Sequence, residues 1–184
     1  RASYNMRAYD LRFDNNGYDH SSSGYRLDAG VQMMFTPLIK GTVYLGYLQQ
    51  NFNAPLSDVS GLDFGAQIDW YVTELVTVHF TAARTLTDTT IAGASSEDER
   101  SGQVSFDYEL LRDLILQGNA GYEDDIFDGA ARQDHIVTAG LGAKYLIDRH
   151  MNLYADYTHV ERDTNAAGSD FTDNLFSAGI KFQY

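Results

Sequence analysis

The chain contains no cysteine, only two prolines and a single tryptophan among its 184 residues. Without cysteine it can form neither a disulfide framework nor a thiolate metal site. Its 13 lysines and arginines are outnumbered by 26 aspartates and glutamates, which gives a net charge of −13. This balance argues against nucleic acid as a partner, because binding to phosphates requires clustered basic residues.

Long apolar runs are missing as well. A transmembrane helix needs ~20 consecutive apolar residues, and the sequence has no such segment. A membrane-spanning β-strand needs only ~10 residues, about half of them apolar, so it leaves a much weaker signal. With 43 % hydrophobic and 21 % charged residues, 13 Tyr, 10 Phe and 16 Gly, the chain has the composition of a folded protein and is compatible with membrane strands.

Short turn sequences recur at intervals of about 37 residues, as in a repeat of hairpins. They are centred on Pro37, Glu74, Asp113 and Arg149. Longer polar segments lie between them, at residues 15–24, 51–60, 88–100, 125–133 and 163–170. Short periplasmic turns alternating with long extracellular loops are typical of outer-membrane barrels. We therefore predict about ten strands in one domain, residues 1–184, with acidic loops that contain Glu97-Asp98-Glu99, Asp124-Asp125 and Asp163.

Apolar and polar side chains alternate between the turns, as strands require. In residues 62–72 the even positions are all apolar, whereas the odd positions include Asp63, Gln67 and Asp69. The same alternation runs through residues 25–35, 103–110, 135–145 and 176–184. The pattern predicts an all-β fold, an antiparallel up-and-down transmembrane β-barrel.

The placement of aromatic and charged residues predicts which face points outward. The strands that enter a short turn or the C-terminus end with an aromatic residue on the apolar face: Phe35, Trp70, Tyr108, Tyr145 and Tyr184. Rings at one level suit a girdle at the membrane interface. The opposite face carries the charges Arg26, Asp28, Asp63, Asp69, Asp107, Glu109, Lys144, Asp156 and Lys181. Each would cost roughly 2–4 kcal/mol in hydrocarbon near the midplane, so we expect them in the lumen.

The last residues of the chain read polar-x-Gly-x-x-aromatic-x-aromatic. This pattern resembles the β-signal by which the barrel-assembly machinery recognises outer-membrane strands. The resemblance implies that Gly179, Phe182 and Tyr184 are the recognition positions.

Three further motifs are similar to the C-terminal region of the outer-membrane β-barrel porins of Gram-negative bacteria. They are Tyr108-Glu109-Leu110-Leu111-Arg112-Asp113-Leu114, Gly121-Tyr122-Glu123 with Phe127-Asp128-Gly129, and Tyr154-Ala155-Asp156-Tyr157 with Glu161-Arg162-Asp163. The resemblance implies an outer-membrane location and a signal peptide upstream of Arg1. Proteins of that family are usually longer, with more strands upstream, so the resemblance leaves open whether this chain is a complete barrel or the C-terminal part of a larger one.

Two kinds of enzyme occur among outer-membrane barrels, and the sequence favours neither. Surface proteases place paired acidic residues and an Asp–His pair at the lumen rim, but Asp124-Asp125 and Asp134-His135 are adjacent pairs, whose side chains point to opposite faces of a strand. A lipid-A hydrolase needs a serine beside a histidine and an acid, and no serine lies near His159 and Glu161. We expect no enzymatic activity and no cofactor or metal.

Two functions remain open: a porin-like channel for small solutes or an exported polysaccharide, and a closed structural or interaction barrel whose lumen is plugged by side chains. The number of strands separates them, because about eight to ten leave an interior filled by side chains and ~16 leave an aqueous path. The expected partners are outer-membrane lipid and lipopolysaccharide, the barrel-assembly machinery during biogenesis, and a second copy or another surface partner.

Overall fold

The computed structural model of the chain describes residues 1–9, 13 and 17–182. These residues form ten strands: β1 (Ala2–Arg7), β2 (Ser22–Thr36), β3 (Ile39–Phe52), β4 (Val59–Tyr71), β5 (Val76–Thr87), β6 (Ser96–Leu111), β7 (Leu114–Asp128), β8 (Arg132–Leu146), β9 (Met151–Thr164) and β10 (Phe171–Phe182). They form one sheet in which every strand pairs antiparallel with its neighbours in sequence. The all-β, up-and-down prediction and the number of strands are confirmed.

The sheet is open within the described part of the chain. There β1 pairs only with β2, and β10 only with β9. Nor do these residues include a helix that is long and apolar enough to cross a membrane.

Side chains within the short turns fix the hairpins at one end of the sheet. Thr36 Oγ1 accepts a hydrogen bond from the amide of Leu38, at 3.2 Å. Thr73 Oγ1 accepts one from the amide of Val76, at 3.0 Å, and Asp148 Oδ1 one from the amide of His150, at 2.7 Å. Threonine and aspartate at the first position of a turn favour such bonds. We call this the turn end of the sheet, and the opposite end the loop end.

The loop end differs from the prediction. Glu97, Asp98 and Glu99 lie in β6, Asp124 and Asp125 in β7, and Asp163 in β9, so the predicted acidic loops are wrong at these positions. The predicted loop 125–133 shrinks to three residues, 129–131, with Gly129 at a φ of 91°. The reason is that the β-ladders continue beyond the apolar part of each strand, into segments with polar side chains on both faces.

The sheet is built inside out relative to a soluble protein. Six apolar side chains are buried among the described residues, whereas 34 large apolar side chains are exposed. Most of the exposed ones share a face, which we call the apolar face, because direct cross-strand partners point to the same side. Leu62, Val104 and Leu141 are examples, with 62, 38 and 65 % of their surface exposed.

Candidate functional site

The face opposite the apolar face carries the predicted lumen charges, and we call it the polar face. The strand register aligns Asp28 with Asp63 through Gly46. It also aligns Asp69 with His79 and Lys144 with Tyr154. Followed across the sheet, the register gives all nine charges this one orientation: Arg26, Asp28, Asp63, Asp69, Asp107, Glu109, Lys144, Asp156 and Lys181. Their role in a lumen remains a prediction.

The predicted aromatic girdle lies at the turn end. Phe35, Trp70 and Tyr145 expose 43, 39 and 44 % of their surface. Tyr108 is half-buried, and Tyr184 lies outside the described residues. In the predicted assembly signal, Gly179 and Phe182 belong to β10, whereas Tyr184 is again outside.

Tyrosines also mark the upper edge of the apolar face, towards the loop end. The Tyr25 hydroxyl donates to Gln49 Oε1 at 2.9 Å. The Tyr122 hydroxyl lies 2.8 Å from His135 Nδ1, and the Tyr157 hydroxyl donates to Asn174 Oδ1 at 2.7 Å. An apolar ring whose hydroxyl reaches a polar group suits a membrane boundary. Several outward side chains beyond this row are polar, among them Asp124 and Glu161, so these strand ends extend above the apolar band.

An arginine closes the loop end on one side of the sheet. Pairing between β4 and β5 ends at Gly65 and Ala83, and Arg84 fills the opening beyond them. Its Nε lies 2.6 Å from Asp98 Oδ1 and its Nη2 2.9 Å from Asp98 Oδ2, while Nη1 donates to the Leu62 carbonyl. Arg84 and Asp98 expose only 6 and 2 % of their surface.

The end of the β5–β6 hairpin packs against the polar face of β3 and β4. Leu86 is buried in a cluster with Leu48 and Val59. Beyond it, Arg7 of β1 forms an ion pair with Asp88. The end of the β5–β6 hairpin thus covers the loop end of β1, β3 and β4. The alternation pattern did not predict this arrangement.

A histidine links three strands near the turn end. His79 Nδ1 lies 2.7 Å from Asp69 Oδ1, and its Nε2 lies 3.3 Å from Asp107 Oδ2. Gln117 Nε2 donates to the other oxygen of Asp107, at 2.7 Å. A second contact on the polar face joins β2 to β4, where Arg26 Nε lies 2.8 Å from Asp63 Oδ2.

Between these clusters and β9 the polar face forms a shallow groove of about 380 Å³. Its polar lining consists of amides, hydroxyls and two carboxylates: Gln103, Ser105, Asp107, Gln117, Asn119, Asp156 and Thr158. Gly140 and Gly142 also line the groove and, having no side chains, leave space in it. Such a lining can exchange hydrogen bonds with water or with a hydroxylated solute.

The residues considered for enzymatic chemistry do not converge. His135 Nδ1 lies 3.1 Å from Asp124 Oδ1 on the apolar-face side, whereas Asp125 faces Asp134 on the polar face. The two pairs therefore point in opposite directions. His159 Nδ1 lies 2.9 Å from Asn174 Oδ1. Across residues 1–9, 13 and 17–182, no group of three His, Asp or Glu side chains could hold a metal ion.

Comparison with known proteins agrees with this architecture. Twelve chains of solved structures match, among them the outer membrane channel DcaP of Acinetobacter baumannii, with a TM-score of 0.61 and 14 % sequence identity. The match covers 97 % of this chain and 67 % of that one, and at this identity it shows the fold alone. No curated protein matches the chain. The family described as "putative beta-barrel porin 2" matches residues 1–184, so the chain belongs to that family and is a porin-like β-barrel.

Proposed function

We propose that this chain forms the wall of a bacterial outer-membrane channel that passes small hydrophilic solutes without catalysis. The observation that carries the proposal is the polar groove of β6–β9 on the face opposite the apolar band. Its amide and hydroxyl groups replace water around a passing solute with little energetic penalty. The name of the structural neighbour, an outer membrane channel, supports the same function.

A sugar chain in transit is the second candidate substrate. The groove is shallow and extends over four strands, β6 to β9. This shape suits an extended hydroxylated polymer as well as a small solute. Swelling of liposomes containing the refolded protein, with sugars of increasing size, separates the two substrates. A sharp size limit favours small solutes, whereas entry of long oligosaccharides favours the polymer.

The plugged structural barrel is the competing function, and the packing of Leu86 against Leu48 and Val59 favours it. Conductance across a planar bilayer distinguishes it from a channel. We expect steady single-channel steps in salt solution from the full-length protein. A correctly folded protein that inserts and produces no steps would contradict the channel.

A further inference from the structure

Four carboxylates at the loop end remain outside the groove and the ion pairs described above. We call them the mouth cluster: Glu97 and Glu99 on β6, and Glu123 and Asp125 on β7. Glu99 lies directly opposite Asp125, while Glu97 and Glu123 are displaced from that pair by two residues along their strands. All four lie on the polar face and above the row of tyrosines that ends the apolar band.

None of the ion pairs within 4.0 Å among the described residues includes one of these four carboxylates, and arginines of the same strands and of the next two are paired elsewhere. Asp134 lies opposite Asp125 on β8 and forms an ion pair with Arg132. The Arg132 Nη2 atom lies 2.6 Å from Asp134 Oδ2. Arg162 Nη1 is 3.9 Å from the same oxygen. Like charges directly opposite each other destabilise a sheet, so Glu99 beside Asp125 weakens the unliganded fold.

Asp125 adds a second, independent observation. Its side chain is only 5 % exposed, and its Oδ1 is buried without a hydrogen-bond partner. Burial, followed by the charges of Glu123, Glu97 and Glu99, raises the pKa of Asp125 to about 7. A buried carboxylate without a partner is unfavourable unless a ligand supplies the missing donor.

The spacing of the carboxylates indicates the class of ligand. Cross-strand and diagonal neighbours are separated by roughly 5–8 Å, and no three His, Asp or Glu side chains of the described residues are grouped so that they could hold a metal ion. A linear molecule with several ammonium groups can instead donate to the carboxylates one after another.

We infer that the mouth cluster binds linear organic polycations, such as di- and triamines, as they enter the channel. The inference rests on the proposed channel and names a class of solute for it. Negative charge at a mouth raises the local concentration of cations and increases their rate of entry. Glu97 lies nearest the loop end and would meet the solute first, Glu99 and Asp125 lie at the next level, and Glu123 lies deepest. Asp125 would accept a hydrogen bond from an ammonium group held at the level of Glu99.

Binding of spermidine to the full-length protein in detergent micelles, measured by titration calorimetry at pH 8, tests the inference. We expect saturable binding that falls by about tenfold or more in Glu99→Gln/Glu123→Gln, since each carboxylate lost removes a charge-assisted hydrogen bond. The matched control is Glu161→Gln/Asp163→Asn. It removes two charges at the same end of the sheet, but from exposed residues on the opposite face.

Three results would overturn the inference: no saturable binding of spermidine, an equal loss of affinity in the control variant, or binding of Mg²⁺ as tight as that of spermidine. The resistance of each variant to heat and SDS checks that it folds; if the double variant does not fold, Asp125→Asn replaces it. Because calorimetry needs no conduction, binding by a protein that forms no channel would refute only the channel. A conducting channel that binds no spermidine would refute only the mouth cluster.

Discussion

Arg84 and Asp98 form the most completely buried ion pair described in the sheet, with 6 and 2 % of their surface exposed. Alternation from Val76 to Ala82 assigns Arg84 to the apolar face, where a charge is unfavourable. The fold resolves this conflict by ending the β4–β5 ladder at Ala83 and turning the arginine to the Leu62 carbonyl. The sequence could not predict this, because the acceptors of Arg84 lie on two other strands.

Replacement of Arg84 by alanine should destabilise the protein by about 3 kcal/mol, because the buried Asp98 loses both hydrogen bonds from Arg84 and keeps only the exposed Arg100 as a partner. The matched control is Arg100→Ala. Arg100 contacts the same Asp98 oxygen at 2.7 Å, but its side chain is 44 % exposed, so its loss should cost under about 1 kcal/mol. Equilibrium unfolding in urea in the presence of micelles measures both. Equal effects of the two variants would refute the structural role of Arg84.

Asp125 should make stability depend on pH. Its pKa of about 7 lies above the ordinary value of 3.8 because the group is buried, so the folded state binds a proton that the unfolded state releases. Stability therefore falls as the pH rises from about 4 to 7. Asp125→Asn removes this dependence and should unfold at a higher temperature than the natural protein at pH 8. The difference between the two unfolding temperatures should be smaller at pH 5. A difference of equal size at pH 5 and pH 8 would show that Asp125 does not cause the pH dependence.

At the scale of the strand, period-two alternation predicts the face of each residue wherever a strand lies within the apolar band. Residues 62–72 and 135–145 are examples, and their register in the sheet agrees with the prediction. The rule fails at the loop end, where strands such as β6 continue through Glu97 and Asp98 with polar residues on both faces. Composition alone makes such a segment look like a loop.

The packing of the β5–β6 hairpin on β3 is testable because the chain has no cysteine of its own. Leu48→Cys with Leu86→Cys should form a disulfide under mild oxidation, since the two side chains belong to the same small buried cluster. The control, Leu45→Cys with Leu86→Cys, places the first thiol on the opposite face of β3 and should stay reduced. Mass spectrometry of the folded protein measures both. Failure of the first pair to cross-link would show that the hairpin does not pack inward.

For the molecule as a whole, one arrangement explains both the exposed apolar surface and the polar groove. In the proposed channel, the apolar face contacts lipid and the polar face lines an aqueous path. The sequence predicted these faces because alternation is a local property of each strand. It could not predict how the hairpins pack across the sheet, since that packing joins residues far apart, such as Arg7 and Asp88.

A spin-label scan along β8 tests this arrangement most directly. Single cysteines at residues 137–145 carry the label, and the refolded protein is measured in lipid vesicles. The account predicts that labels at Val137, Ala139, Leu141, Ala143 and Tyr145 are relaxed by oxygen dissolved in the bilayer, while labels at the intervening residues are relaxed by a water-soluble nickel complex. Accessibility without a period of two, or with the two sets exchanged, would contradict the account.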